Sequence, residues 1–301
     1  MKFPQTNLDA DGRISIREKI SYGFGDVACN VVFALTMSLS TYFYTDVVGM
    51  SAALVGTILL LSRVFDGISD VVIGILVDRT HSRFGKARAW VLWMTVPYGV
   101  SAILLFMVPA HATTVVQGIY VFITYNLAVT FVYTALNLPY GTLAALMTRN
   151  QNERAIINIF RMGMAPVGNM IVTAATLPFI NRMGGDQKAW ITVTIIYSLI
   201  AMVMLLICFF GCKERVHIAA TPQSAKIPLK VGFKAMIANK YWWLITVMYF
   251  CWAMYVTLNG TMLTYYCKFE LGNAELMSVI TIVEKLPSII TTIAIAPFIK
   301  R

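Results

Sequence analysis

The chain has 301 residues, 58% of them apolar and only 13% charged, with a mean hydropathy of +0.71. Such a balance excludes an ordinary water-soluble domain. The net charge of +10 comes from 24 Lys and Arg against 14 Asp and Glu, and the basic residues sit in short loops between apolar runs, which excludes nucleic acid as the partner and points to a lipid bilayer.

Residues 1–19 carry Lys2, Arg13, Arg17 and Lys19 without an apolar stretch or small-residue cleavage site, and so do not read as a signal peptide. Eight nearly charge-free runs follow, at 22–45, 53–77, 89–109, 114–147, 156–180, 190–211, 242–267 and 276–299. Each approaches or exceeds the roughly 20 residues a helix needs to cross hydrocarbon. The fold class expected is all-α integral membrane.

The first run holds Asp26 and, one turn on, Asn30, whose amide offers both donor and acceptor, as a sugar hydroxyl requires. Asp26 is open to a local reading as a cap or short-range pair. The second run concentrates Arg63, Asp66 and Asp70 at i, i+3 and i+7, one helical face, which is expected to turn into the bundle and away from lipid. Two carboxylates a turn apart in a poorly hydrated site repel, so they favour sharing a proton or holding a cation, with Arg63 balancing the remaining charge. A purely structural ion pair of Arg63 with one Asp would leave the other unexplained. The fourth run brings Thr134 and Asn137 beside Pro139, which removes a backbone donor. The fifth places Arg161 on one face with Asn158 and Arg154, and the eighth holds adjacent Glu284 and Lys285, which are expected to diverge from one another.

With the N-terminus inside, 18 of the 24 Lys and Arg fall in inner loops or at the termini and only Arg182, Lys188 and Lys268 outside, so both termini are expected in the cytoplasm. The stretch 212–241 is the longest hydrophilic one; Lys226, Lys230 and Lys234 opposite Leu229, Phe233, Met236 and Ile237 give it the pattern of an interfacial helix. The expected divisions are therefore 1–211, six spans; 212–241, a central cytoplasmic loop; and 242–301, two further spans. The five cysteines lack metal-like or paired spacing and read as packing residues. No phosphate loop or nucleophile elbow is present, and His81, His111 and His217 are scattered among loops, so neither an enzyme nor a cofactor is expected.

Six spans, a basic loop and further spans is the layout of major facilitator transporters, built as two six-helix halves, which makes eight spans of an expected twelve. More specifically, the chain resembles the glycoside-pentoside-hexuronide cation symporters through Lys19-Ile20-Ser21-Tyr22-Gly23-Phe24-Gly25, Tyr44-Thr45-Asp46-Val47-Val48-Gly49, Ser82-Arg83-Phe84-Gly85-Lys86, Leu138-Pro139-Tyr140-Gly141 and Gly184-Gly185-Asp186. The resemblance implies alternating access in an inner membrane, a cation site for Na+, Li+ or H+ at Asp66, Asp70 and Thr134, and a sugar pocket with Arg161, Asn30, Asn137 and Asp26. Two carboxylates that grip a galactoside in the melibiose-transporting members fall here at Asn30 and Asn137, and a pocket tryptophan at Gly141, a pattern closer to the glucuronide and xyloside carriers. A non-transporting remnant or sugar sensor is the alternative, since a second half of two spans leaves the interior unwalled and transport by these residues alone is not expected. An Asp-rich membrane prenyltransferase would need a second acidic cluster that the chain lacks.

Overall fold

The computed structural model describes residues 13–216, 236–273 and 275–295, and among them the secondary structure is entirely helical. Eight rods run where eight were expected. They are α1 (Ile16–Tyr42, continued by the π-helical Phe43–Val47), α2 (Ala52–Arg79), α3 (Ala87–Phe106), α4 (Thr114–Tyr125) joined through π-helical Asn126–Tyr133 to α5 (Thr134–Met147), α6 (Gln151–Arg182), α7 (Gln187–Gly211), α8 (Lys240–Phe269) and α9 (Leu276–Ile295). Among the described residues, six of the rods are long and apolar enough to cross a membrane, and α2 and α9 each carry ionisable groups mid-helix.

Three rods, α1, α6 and α7, start several residues before their charge-free runs because polar caps extend them. Ser15 accepts from the Glu18 backbone N–H to start α1, Asn150 accepts from Asn152 and Glu153 to start α6, and Asp186 accepts from Ala189 to start α7. Each satisfies donors that the first turn leaves without a helical partner. Of the expected interfacial helix, Lys226, Leu229, Lys230, Phe233 and Lys234 fall in 217–235, outside the described residues; Met236 and Ile237 are described.

α1 is the hub, packed on α6, α7 and α8, while α3 lies on α5 and α7, α2 on the fourth rod, and α9 on α6. The hub helix approaches its neighbours closely: a Cβ on Gly25 would lie 2.4 Å from the Tyr140 ring, and one on Gly168 of α6 would lie 2.7 Å from Val27. Small residues at crossings let backbones meet where lipid supplies no hydrophobic drive between helices. Four of the five cysteines, Cys29, Cys208, Cys212 and Cys267, are buried as free thiols, in keeping with packing roles, and Cys251 is exposed.

Two expectations need correcting. Glu284 and Lys285 do not diverge: Lys285 Nζ lies 3.0 Å from Glu284 Oε1, because flexible stems let adjacent side chains curl together. The charges of α2 do not all turn inward either. Within the described residues Arg63 and Asp70 are exposed and only Asp66 is partly enclosed. The fully buried residues of α2 are Val55, Ile58, Ser62, Ser69, Ile73 and Val77, with Leu54 and Leu59 partly buried against the core and Phe65 edge-on to Phe122, whereas Leu60, Val64, Ile68 and Val71 are exposed.

Candidate functional site

Two polar clusters lie on the interior rods. In the first, Arg161 of α6 reaches across to Asp26 of α1, Nε to Oδ1 at 3.2 Å. Asp26 therefore pairs between helices, and the local reading falls away. The guanidinium also lies over the Tyr140 ring, 5.1 Å from its centroid, an attraction that strengthens when water is excluded. Tyr140 is itself fixed: its ring stacks on Tyr22 with centroids 4.6 Å apart, its hydroxyl donates to the Tyr22 carbonyl at 2.6 Å, and the Tyr22 hydroxyl donates back to the Tyr140 carbonyl at 3.2 Å. Asn30 donates to the Asp26 carbonyl at 2.8 Å. A Cβ at Gly141 would come within 3.8 Å of Arg161 Nη1, so the missing side chain leaves that edge of the guanidinium room. Asn137 is half-buried and has no hydrogen-bond partner among the described residues.

The second cluster joins α2 to the fourth rod. Thr134 Oγ1 donates to Asp70 Oδ1 at 3.1 Å, and Arg63 Nη1 lies 3.2 Å from Asp66 Oδ2. Around them runs a ladder that inspection of charged residues alone did not single out. Asn126 donates to Ser62 Oγ at 2.9 Å, Thr130 Oγ1 donates to Asn126 Oδ1 at 3.2 Å, and Ser69 Oγ donates to the Thr130 carbonyl at 3.0 Å. The sequence did hold a signal: Asn126, Thr130 and Thr134 recur every four residues, a polar stripe on an otherwise apolar rod. The same stretch, Asn126–Tyr133, is π-helical, a widening that is frequent at functional sites.

Chemically, the second cluster offers two carboxylates and a hydroxyl, hard oxygens suited to a proton or a small monovalent cation. The first offers a cation on an aromatic platform plus two amides, suited to hydroxyls or a carboxylate. Thr134, Asn137 and Gly141 stand at i, i+3 and i+7 of α5, so one face of one helix runs from Asp70 to Arg161. Arg154, two turns before Arg161 on the same face of α6, donates to the Thr148 carbonyl at 3.1 Å.

An all-helical bundle of membrane-length rods, with the Arg161–Asp26 ion pair enclosed between two of them, defines a polytopic membrane protein. Residues 21–301 match the family described as MFS/sugar transport protein, and the chain belongs to that family, in the glycoside-pentoside-hexuronide branch of the major facilitator superfamily. It is 34% identical to the isoprimeverose transporter of Lactiplantibacillus pentosus over 87% of this chain and 55% of the relative. It is 35% identical to the inner membrane symporter YicJ of Escherichia coli over 87% of this chain and 56% of the relative. The glucuronide carrier protein homolog of Escherichia coli is 30% identical over 95% and 62%. The chain thus spans between 55% and 62% of the length of these relatives.

Proposed function

We propose that this chain carries the cation and sugar sites of a secondary symporter, which couples uptake of a glycoside, pentoside or hexuronide to Na+, Li+ or H+ by alternating access. The observation that carries this reading is α5, which touches Asp70 through Thr134 and faces Arg161 through Gly141. A cation at Asp66 and Asp70, ligated also by Thr134, removes the repulsion between the carboxylates and shifts the rod that faces the sugar. The cation is cargo, not a resident cofactor. Arg161, held at Nε by Asp26, presents its free edge to substrate, with Asn30 and Asn137 serving hydroxyls; Arg63 balances Asp66. A free guanidinium edge favours a sugar bearing a carboxylate, in line with a relative named a glucuronide carrier homolog. The protein sits in the cytoplasmic membrane of a bacterium with both termini inside.

The test uses this chain extended with the last helices of a relative, in cells lacking their own glycoside carriers. Asp66→Cys and Asp70→Cys are each expected to abolish cation-driven accumulation and keep sugar binding; accumulation surviving in both defeats the reading. Sodium or lithium is expected to raise sugar affinity, since linked binding is reciprocal, whereas dependence on pH alone assigns the proton. Cysteine at position 81 is expected to resist an impermeant thiol reagent in intact cells and one at position 185 to react, once native cysteines are removed.

A further inference from the structure

At one end of the bundle, where α1 begins and α7 ends, a half-open cavity of about 540 Å³ is lined on one side by Arg17, Glu18, Lys213 and Arg215. Glu18 is buried and neutralised there: Arg215 donates to both its oxygens at 2.8 Å, and the Lys213 backbone N–H adds a third bond at 3.0 Å. Arg17 and Lys213 are left exposed, with no side-chain partner among the described residues. The cavity therefore presents two unopposed positive charges beside the first turn of α1, whose dipole adds to them.

The other side of the cavity is apolar. Val203, Leu206, Ile207 and Phe210 line it at i, i+3, i+4 and i+7, one stripe on the last turns of α7. α7 is a membrane-length rod, and Val203, Ile207 and Phe210 are 57%, 40% and 71% exposed, so the stripe faces hydrocarbon. It ends at Gly211, where a Cβ would lie 2.3 Å from Ser21, so α1 and α7 cross in contact and close the floor. Positive charge thus sits just beyond the end of a span, and an apolar groove runs from it into the depth of acyl chains. A soluble anion would use the first feature and have no use for the second.

We propose that this cavity binds an anionic phospholipid, its phosphate between Arg17 and Lys213 and one acyl chain along the α7 stripe. The ion pair of Arg215 with Glu18 forms the rigid wall of the site. The lipid would join α1 to the strap that follows α7, and so tie the hub helix to the segment that leads into the central loop.

The experiment is native mass spectrometry of the purified chain released from nanodiscs of phosphatidylcholine with a minor share of phosphatidylglycerol. The chain is expected to retain phosphatidylglycerol preferentially. Arg17→Gln with Lys213→Gln is expected to lower that preference roughly thirtyfold, from the typical attraction of one basic residue for an anionic surface taken twice. Val203→Ser with Phe210→Ser lowers retention while the charges remain. Arg182→Gln with Lys188→Gln removes the same charge at the opposite end and leaves the preference within about twofold. Equal loss in both charge variants would mean diffuse attraction and overturn the site. So would no preference in the unaltered chain, indifference to the serine pair, or displacement of the lipid by inorganic phosphate alone.

Discussion

The ion pairs Arg161–Asp26 and Arg63–Asp66 have the same N···O distance, 3.2 Å, yet occupy opposite surroundings. The first lies between the hub helix and α6, with a tyrosine platform beneath the guanidinium; side-chain exposure is 27% for Arg161 and 10% for Asp26. The second lies along one helix, three residues apart, with Arg63 47% exposed and touching another rod where Nη2 lies 3.4 Å from the Met37 sulfur of α1. An enclosed pair holds its partners in place because each charge would be costly without the other. An exposed pair along a helix exchanges water for its partner at little gain. On the proposed reading, the first geometry suits a sugar pocket that must be ready before substrate arrives, and the second suits carboxylates that exchange one ion for another.

The largest break in this comparison comes from removing one partner of each pair. Arg161→Ala is expected to destabilise the chain by about 3 kcal/mol, because it strands Asp26 between helices. Adding Asp26→Asn to that variant is expected to recover more than half of the loss. Thermal unfolding in detergent checks both, and equal stability of single and double variants would refute the coupling. A methyl group probes packing in the same two regions. Gly25→Ala is expected to cost about 1–3 kcal/mol by overpacking the Tyr140 ring. Gly67→Ala on α2 meets nothing within 4 Å and is expected to be neutral or to gain up to about 1 kcal/mol of helix propensity. A loss at position 67 matching that at position 25 would mean that α2 is covered.

Thr134→Val sharpens the comparison from the cation side. It removes the hydroxyl that holds Asp70 while keeping the shape and, where the proposed cation is sodium, is expected to weaken its binding about tenfold, with Thr134→Ser restoring it. Isothermal titration with sodium reads this directly, and an unchanged affinity would take Thr134 out of the site. The smallest effect belongs to Arg63→Gln, expected to change stability by less than about 1 kcal/mol; a loss comparable to that of Arg161→Ala would show the two pairs to be alike.

Much of this architecture is legible without coordinates, and the reason is local. Whether a segment crosses a bilayer depends on its own length and its own charges, so eight charge-free runs became eight helical rods, and Ser15, Asn150 and Asp186 set starts that extend them. The concentration of Arg63, Asp66 and Asp70 on one helix was equally plain, as were Arg161 and Asp26 as costly residues in apolar runs. The sequence could not say who meets whom. Arg161 finds Asp26 across 135 positions, Thr134 finds Asp70 across 64, and Glu18 finds Arg215 across 197. The Asn126–Ser62 and Thr130–Ser69 ladder escaped notice because neutral polar residues are common in spans and gain meaning only when a facing helix supplies the partner. Hydropathy is a property of a residue and its solvent, fixed along the chain, whereas hydrogen bonds and ion pairs depend on angstrom distances between helices. Those distances are set by the crossings that Gly25, Gly168 and Gly211 permit, and the packed bundle alone determines them.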